Sequence, residues 1–273
     1  LQRGLGPVLR LRDAVLASRR ERLEPFDPAS VQMELRPLVH ALNDYMDRVQ
    51  KQMAAQRRFV ANAAHQLRTP LTLLMTQAAV AARETDPASR TEALQSLTRS
   101  TRHASRLAEQ LLALTRAEPG SRAPRAERID MAEAARAVLE AHAEEALRRN
   151  IDIGLEVKGP APVVGDGAML REMIVNLVDN ALRYTPAPGE VTVGVRCEGD
   201  EVVLTVEDSG PGIPEGERGQ VFERFYRIMG TQAEGSGLGL AIVREVVDGA
   251  GGSVMLATAA AGGLSVVVRL PRQ

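Results

Sequence analysis

The sequence has little of several residue types, and each shortage narrows what the protein can be. Cys197 is the one cysteine among 273 residues, so no internal disulfide can form, which fits a reducing compartment. Tryptophan is absent and aromatic residues make up only 3% of the chain, so aliphatic side chains must supply most of the buried surface. The formal net charge of −1 argues against a basic surface, so we expect no direct binding to nucleic acid.

The chain also has few long stretches without charged residues. The longest uncharged run, Gly249 to Val268, is long enough to resemble a membrane span. Its glycines instead predict two short strands, Ser253–Thr258 and Leu264–Val268, joined by a turn at Gly262-Gly263. The chain begins with leucine rather than methionine, so we expect a fragment whose upstream part is missing.

Composition divides the chain into a helical part and a mixed part. Pro25 and Pro28 separate two short helical patterns, because neither fits inside a continuous helix. A long helix is then predicted from about Val31 to Ala82, with a partner helix from about Thr91 to Arg116. Further on, strand and helix patterns alternate, which predicts a multidomain α and α/β protein. The predicted parts are a signalling linker at 1–50, a helical hairpin at 51–117, a proline- and glycine-containing linker at 118–125, and an α/β domain at 126–273.

A stripe of apolar residues runs along the long helix. Its members recur every three or four residues, the heptad pattern of a coiled coil, interrupted by two extra four-residue steps. A helical rod of some fifty residues, roughly 75 Å long, cannot bury such a stripe alone, so we expect a dimer that can transmit a mechanical signal. The alternative is a static dimerisation rod. The stripe comprises Leu35, Leu38, Leu42, Tyr45, Val49, Met53, Gln56, Val60, Ala63, Leu67, Leu71, Leu74 and Ala78.

His65 lies on this helix but away from the stripe. At 100° per residue it is about 140° from Val60 and about 160° from Leu67, so it should face solvent. Pro70, five residues later, removes a backbone donor and should bend the helix there. An exposed imidazole is mostly neutral near neutral pH and is therefore nucleophilic. We expect the other histidines to be ordinary solvated side chains: His40, His103 and His142.

Two neighbours of His65 suit phosphate chemistry. Arg68 can neutralise phosphate charge, because a guanidinium pairs well with phosphate oxygens. Thr69 can hold a water on the same helix face, one turn from His65. We therefore take His65 as a candidate acceptor of a phosphoryl group, with Arg68 and Thr69 beside it.

Polar residues line one face of a later helix. Glu172, Asn176 and Asn180 are spaced i, i+4 and i+8, so they drift by only about 40° per step. Asn180 offers a neutral oxygen to a Mg²⁺ ion that keeps most of its waters and shares phosphates, and Glu172 is a candidate second ligand. One turn on, Arg183 can reach phosphate and Tyr184 can lie against a base. The alternative for each is a plain polar helix face.

Two glycine-rich motifs follow that helix and predict a nucleotide site. Asp208 ends a strand just before Gly210 and Gly212, where the backbone can approach a ligand closely. Its carboxylate can accept the exocyclic amine of adenine, which would select ATP over GTP. The segment Gly235-Ser-Gly237-Leu238-Gly239 opens an apolar helix, so free N–H groups and the helix dipole point at phosphate. Between the two motifs, residues 212–235 have the composition of a lid.

Taken together, these motifs resemble those of bacterial sensor histidine kinases, and the likeness covers essentially the whole chain. Phe59–Thr72 is similar to the family's phosphoacceptor box, and Asn176–Ala181 to its asparagine box. Its two glycine boxes and its phenylalanine box are matched by Asp208–Gly212, Gly235–Gly239 and Phe222–Phe225. Residues 1–50 resemble a HAMP linker, which in the family follows a membrane helix.

The resemblance implies a four-helix-bundle homodimer that carries His65. It also implies an α/β sandwich for ATP, of the type shared by histidine kinases, gyrase and Hsp90. The partner would be a response regulator, whose receiver domain takes the phosphoryl group onto an aspartate. The whole would be the cytoplasmic part of an inner-membrane protein, anchored through the missing upstream segment.

One departure from the family concerns the residue after the histidine, which is usually acidic and is Gln66 here. Gln66 can orient the imidazole but cannot act as the usual base, so we expect slow autophosphorylation. Two other readings remain open: a catalytically weak ATP-binding signalling adaptor, and an ATP-driven machine related to topoisomerases or chaperones. The adaptor rests on Gln66 alone, whereas the machine gives no reason for a helical seam that carries His65 beside a proline.

Overall fold

The computed structural model describes residues 25–117, 126–228, 235–260 and 262–272. The chain divides into two units, one ending at His65 and the other beginning at Gln66, so the boundary falls inside a helix. Fold class is as predicted: long helices come first, and an α/β domain follows.

Two long helices make up the first half. Helix α1 spans Arg36–Arg83, with Pro70 inside it, and α2 spans Pro87–Ala117. Both predicted helices are therefore confirmed. The turn between them is held by Asp86, whose Oδ2 accepts a 2.9 Å hydrogen bond from the backbone N–H of Ser89.

In the first unit, the segment before α1 folds back onto that helix. The Asn43 side chain donates to the carbonyl of Phe26 and accepts from its N–H, both at 2.8 Å. The Asn43 amide therefore satisfies both backbone hydrogen-bonding groups of Phe26. Residues 1–24 of the predicted signalling linker lie outside the described residues. Several members of the apolar stripe are exposed in the single chain, as a dimer would require: Leu38, Tyr45, Met53, Val60 and Leu71.

In its described residues, the α/β domain consists of a five-stranded sheet, a smaller sheet and three α-helices. The sheet has the order β2-β4-β5-β7-β6, with β2 parallel to β4 and the other neighbours antiparallel. A smaller antiparallel sheet joins β1 to β3. The elements are β1 Ala126–Asp130, α3 Met131–Arg148, β2 Ile151–Lys158, β3 Pro162–Asp166, α4 Gly167–Tyr184, β4 Gly189–Glu198, β5 Glu201–Asp208, α5 Gly239–Gly249, β6 Ser253–Thr258 and β7 Leu264–Pro271.

Alternation along the strands explains how the helices cover this sheet. In β4, Val191, Val193 and Val195 are buried while the residues between them are partly exposed, so one face of the strand carries the core. The helices supply matching apolar side chains, among them Ile174 and Leu177 of α4, both at most 2% exposed. This packing fixes α4 and α5 relative to the sheet.

The uncharged run near the C-terminus folds as predicted. It forms β6 and β7, and the backbone reverses at Gly262-Gly263. Within the described ranges, no helix is both long enough and apolar enough to cross a membrane.

Candidate functional site

A cavity of about 550 Å³ opens where α4, the end of β5 and the start of α5 meet. Its polar lining comes from motifs that are far apart in the sequence. Of the predicted nucleotide-binding residues, nine line it: Asn176, Asn180, Arg183, Tyr184, Asp208, Gly212, Gly235, Gly237 and Gly239. The fold therefore brings together most of the set that the sequence singled out.

The amide face of α4 forms one wall. Asp166 caps this helix, because its Oδ1 accepts from the N–H groups of Ala168 and Met169 at 3.0 and 3.1 Å. Three turns on, the start of α5 lies against the asparagines. A Cβ at Gly239 would be 3.1 Å from Nδ2 of Asn180 and 3.3 Å from Oδ1 of Asn176, so a side chain there would push the two amides aside by a few tenths of an ångström.

Asn176 is almost fully buried and makes several hydrogen bonds. Its Nδ2 donates to the Glu172 carbonyl at 2.8 Å and to Glu172 Oε1 at 3.1 Å, and its Oδ1 accepts from Gln110 Nε2 at 3.0 Å. Burial raises the pKa of the Glu172 carboxyl, and the hydrogen bond from Asn176 opposes that rise. Glu172 does not line the cavity; in the structure its carboxylate orients Asn176.

Asp208 is held at the other end of the cavity by two backbone donors. Its Oδ1 accepts from the N–H of Gly210 at 2.8 Å and from the N–H of Leu264 at 3.2 Å. Burial raises the pKa of the Asp208 carboxyl, and both donors oppose the rise. A Cβ at Gly263 would lie 1.9 Å from the Asp208 carbonyl oxygen, so the β6–β7 turn reaches Asp208 only with glycine there. Among the described residues, both donors converge on one oxygen, which leaves Oδ2 for a ligand.

Two predicted nucleotide-binding residues do not line the cavity. Gly210 contributes indirectly, because its backbone N–H donates a hydrogen bond to Asp208 Oδ1. Leu238 is fully buried, and its side chain packs in the core just before α5 begins.

Several lining residues escaped the sequence reasoning, among them Leu264, Ser236 and Gln110. Leu264 lines the cavity and binds Asp208 through its backbone, a contact that depends on strand pairing rather than on any motif. Ser236 lies between two predicted glycines, and its hydroxyl donates to Gln110 Oε1 at 2.8 Å. Gln110, on α2, also lines the cavity. Its signal was available, since it is a polar residue among the buried apolar residues of that helix, Leu107, Ala113 and Leu114.

Part of the predicted lid is described. Residues 229–234 lie outside the described residues, while the stretch before them is anchored to α5. Phe222 is buried beneath the Arg244 guanidinium, 4.4 Å from the ring centroid, and Arg224 pairs with Glu245 at 2.8 Å. The base of the segment is therefore fixed to the domain.

The predicted phosphoacceptor residues all lie on α1. His65 is exposed, as expected from helix geometry, and so are Arg68 and Thr69, whereas Gln66 is half-buried. The carbonyl of Arg68 accepts a 2.9 Å bond from the Thr72 hydroxyl, so one acceptor near Pro70 is satisfied by a side chain.

One histidine departs from expectation, because His142 is buried rather than solvated. Its Nδ1 is 2.7 Å from the Val138 carbonyl, and its Nε2 is 3.1 Å from Asp179 Oδ1. Both neighbours are acceptors, so the ring satisfies both only when both nitrogens carry protons. The hydrogen bond to Asp179 accordingly raises the pKa of His142. The surface prediction was wrong because α3 packs this face against α4. His40 is exposed, as predicted, and the side chain of His103 lies outside the described set.

Two family models match the parts that form this site. Residues 55–120 match the His Kinase A (phospho-acceptor) domain, which includes α2 and the histidine-bearing stretch of α1. Residues 165–273 match the histidine kinase-, DNA gyrase B- and HSP90-like ATPase, which includes the cavity. The chain belongs to the bacterial sensor histidine kinases.

Individual relatives agree with this family. The sensor protein kinase PmrB of Pseudomonas aeruginosa is 38% identical over 272 residues, covering 99% of this chain and 57% of that protein. The histidine-protein kinase/phosphatase MprB of a Mycobacterium species is 38% identical over 273 residues, covering 95% and 51%. The solved structure of ShkA with AMPPNP has a TM-score of 0.60 at 25% identity, covering 79% of this chain and 46% of that one. The chain thus spans little more than half the length of these curated relatives.

The buried His142–Asp179 pair generates a prediction about pH. A raised folded-state pKa means that the stabilisation is complete below the unfolded value of about 6.5 and is lost as pH rises through the folded value. We expect the urea midpoint of the parent to fall between about pH 6 and pH 8, and we expect His142→Gln to flatten that fall. The exposed His40→Gln is the matched control. A variant as pH-dependent as the parent would contradict the assignment.

Proposed function

We propose that this chain is the ATP-binding and phosphoacceptor part of a sensor histidine kinase that transfers the γ-phosphoryl group of ATP to His65. The observation that carries the proposal is the cavity in which the asparagine face of α4, the buried Asp208 and the glycine-rich start of α5 converge. The domain is of an ATPase family, and ShkA, of the same fold, has been solved with AMPPNP.

The residues that line the cavity match the parts of an adenine nucleotide. Asp208 presents a carboxylate that is fixed by two backbone donors and can accept the adenine amine. Tyr184 can lie against the base, and Arg183 can meet phosphate. At the opposite side, α5 begins at Gly239, and the free N–H groups of its first turn favour phosphate.

The same cavity suits Mg²⁺ bound mainly through the nucleotide. Among the described residues, no cluster of three His, Cys, Asp or Glu side chains forms a protein-only metal site. Asn180 offers an amide oxygen beside the α5 N-terminus, and Mg²⁺ is commonly bound by one or two protein oxygens, phosphates and water. Glu172 remains a predicted second ligand; in the structure its carboxylate accepts from Asn176 instead.

The transfer itself needs an accessible nucleophile, and His65 is exposed. One imidazole nitrogen forms a bond to the γ-phosphorus as the bond from phosphorus to the β-phosphate oxygen breaks, and ADP leaves. The other ring nitrogen carries the proton, which is released to solvent once phosphohistidine has formed. Arg68 would neutralise phosphate charge, and Thr69 would hold a water on the same helix face as His65.

Gln66 determines the rate of autophosphorylation that we expect. A carboxylate beside the imidazole would accept a hydrogen bond from its N–H and stabilise the developing positive charge, whereas a glutamine carbonyl can only orient the ring. We therefore propose a slow kinase. Gln66 also favours the second candidate, a catalytically weak ATP-binding adaptor, which would bind nucleotide without labelling His65.

The partners follow from the same family. Exposed apolar residues along α1 support a homodimer, since a seam of this length needs a covering surface. The phosphoryl group would pass to an aspartate of a response regulator receiver domain, and the name of MprB supports a phosphatase activity as well. Residues 1–50 would act as a HAMP-like linker below a membrane segment, with the described part on the cytoplasmic side of the inner membrane.

The adenine assignment can be tested at Asp208. We expect Asp208→Asn to weaken Mg·ATP binding by about tenfold to a hundredfold, because a carboxylate acceptor becomes a possible donor facing the adenine amine. Titration calorimetry measures the affinity. Asp200→Asn, an exposed change in the β4–β5 turn, should bind like the parent. Equal affinities for the parent and Asp208→Asn would refute the assignment.

The phosphoacceptor can be tested with γ-labelled ATP. We expect label that is acid-labile and alkali-stable, as phosphorus on an imidazole nitrogen is, and we expect His65→Ala to abolish it. The matched control is His40→Ala, an exposed histidine on the same helix, which should label normally. Label in His65→Ala, or label that survives acid, would rule out transfer to His65.

The role of Gln66 can be tested by restoring an acid. We expect Gln66→Glu to speed single-turnover autophosphorylation by about tenfold or more at unchanged ATP affinity, because residue 66 acts on the imidazole and not on the nucleotide. Gln52→Glu introduces the same charge at an exposed position of α1 that is not part of the apolar stripe, and should change nothing. Equal rates for Gln66→Glu and the parent at saturating ATP would show that this position does not limit the chemistry.

A further inference from the structure

Helix α2 belongs to the phosphoacceptor hairpin, yet one face of it packs against α4 and α5 of the ATP-binding domain. Leu107, Gln110 and Leu114 lie on that face at i, i+3 and i+7, and all three are buried. A polar amide in the middle of a buried apolar face costs free energy unless both of its ends are hydrogen-bonded.

Gln110 has both ends satisfied, and both partners line the nucleotide cavity. Its Nε2 donates to Asn176 Oδ1 at 3.0 Å, and its Oε1 accepts from the Ser236 hydroxyl at 2.8 Å. One side chain thus bridges the asparagine face of α4 and the glycine-rich segment before α5. Gln110 itself is part of the cavity wall.

A charged contact lies one turn earlier on α2, between Arg106, which does not line the cavity, and Asp179, which does. Arg106 Nη1 is 3.2 Å from Asp179 Oδ2, and Asp179 precedes Asn180 on α4. The other carboxylate oxygen of Asp179 faces His142, so this carboxylate is shared between α2 and α3. Arg106 is partly exposed, and its contribution is therefore modest.

We propose that Gln110 is a nucleotide-site residue carried by the phosphoacceptor hairpin, and that docking of α2 and binding of the magnesium nucleotide exclude each other at Asn176. With α2 docked, Asn176 is 2% exposed, and its two amide ends are committed to Gln110 and Glu172. The Gln110 amide lies against the Asn176 oxygen and the Ser236 hydroxyl, so in this proposal a ligand that takes these two groups displaces it.

This exclusion links the two events thermodynamically. The proposed exclusion has α2 move away together with the Gln110 amide, which also breaks the Arg106–Asp179 contact. A change that weakens docking must therefore strengthen nucleotide binding, and nucleotide must weaken docking by the same factor. The inference rests on the proposed function, since it takes Mg·nucleotide as the ligand of this cavity.

The test uses the full chain, with Mg·AMPPNP as the probe in titration calorimetry. We expect Gln110→Ala to bind about threefold to tenfold more tightly than the parent, because it removes two hydrogen bonds that only the docked form makes. Arg106→Glu should also tighten binding, since it places two carboxylates together at the docked face of α2, and residue 106 itself does not line the cavity. Arg102→Glu, one turn earlier and exposed, makes the same charge change and should match the parent.

A second measurement tests whether nucleotide binding weakens the docking of α2. Saturating Mg·AMPPNP should speed amide hydrogen exchange in residues 106–114 of the parent, and less so in Arg106→Glu. Unchanged or weaker binding by Gln110→Ala would overturn the inference, as would Arg106→Glu behaving like Arg102→Glu. If Gln110→Ala fails to fold, as judged by circular dichroism, Arg106→Glu decides alone. Absence of nucleotide binding in the parent and every variant would refute the proposed function itself, and this inference with it.

Discussion

The site depends on how closely the first turn of α5 approaches the amide face of α4. A Cβ at Gly239 would lie only 3.1 Å from the Asn180 side chain and 3.3 Å from that of Asn176, so the α5 backbone passes close to both. Because of that approach, the free N–H groups at the start of one helix and the amide oxygens of the other face a common cavity. The packing of both helices on the sheet maintains this spacing. The position of Asp208 in the cavity is fixed independently by the β6–β7 turn.

Much of this arrangement was predictable, because its parts are local. Helix periodicity placed Glu172, Asn176 and Asn180 on one face, and glycines marked the loop that opens α5. The strands β6 and β7 were visible as an uncharged run with two glycines between them. Helix geometry likewise placed His65 on the exposed side of α1.

Contacts between distant elements could not be predicted from the sequence. The Leu264 N–H reaches Asp208 because β7 pairs with β5, and nothing in either motif encodes that register. His142 looked like a surface residue because its burial comes from α4, an element that begins some twenty-five residues later. Gln110 lay in a helix whose pattern suggested only a hairpin. In each case a residue's role is set by its partner, and the partner is chosen by tertiary packing.

The position of Gln110 has a consequence for inhibitor chemistry. A compound that fills only the adenine end, against Asp208 and Tyr184, makes no use of the wall that α2 provides. A compound extended towards Ser236 and Asn176 would instead have to displace the Gln110 amide from both partners. The first kind of compound would leave the hairpin on the ATP-binding domain, whereas the second would release it, so the length of the inhibitor would decide which arrangement of the two domains it traps.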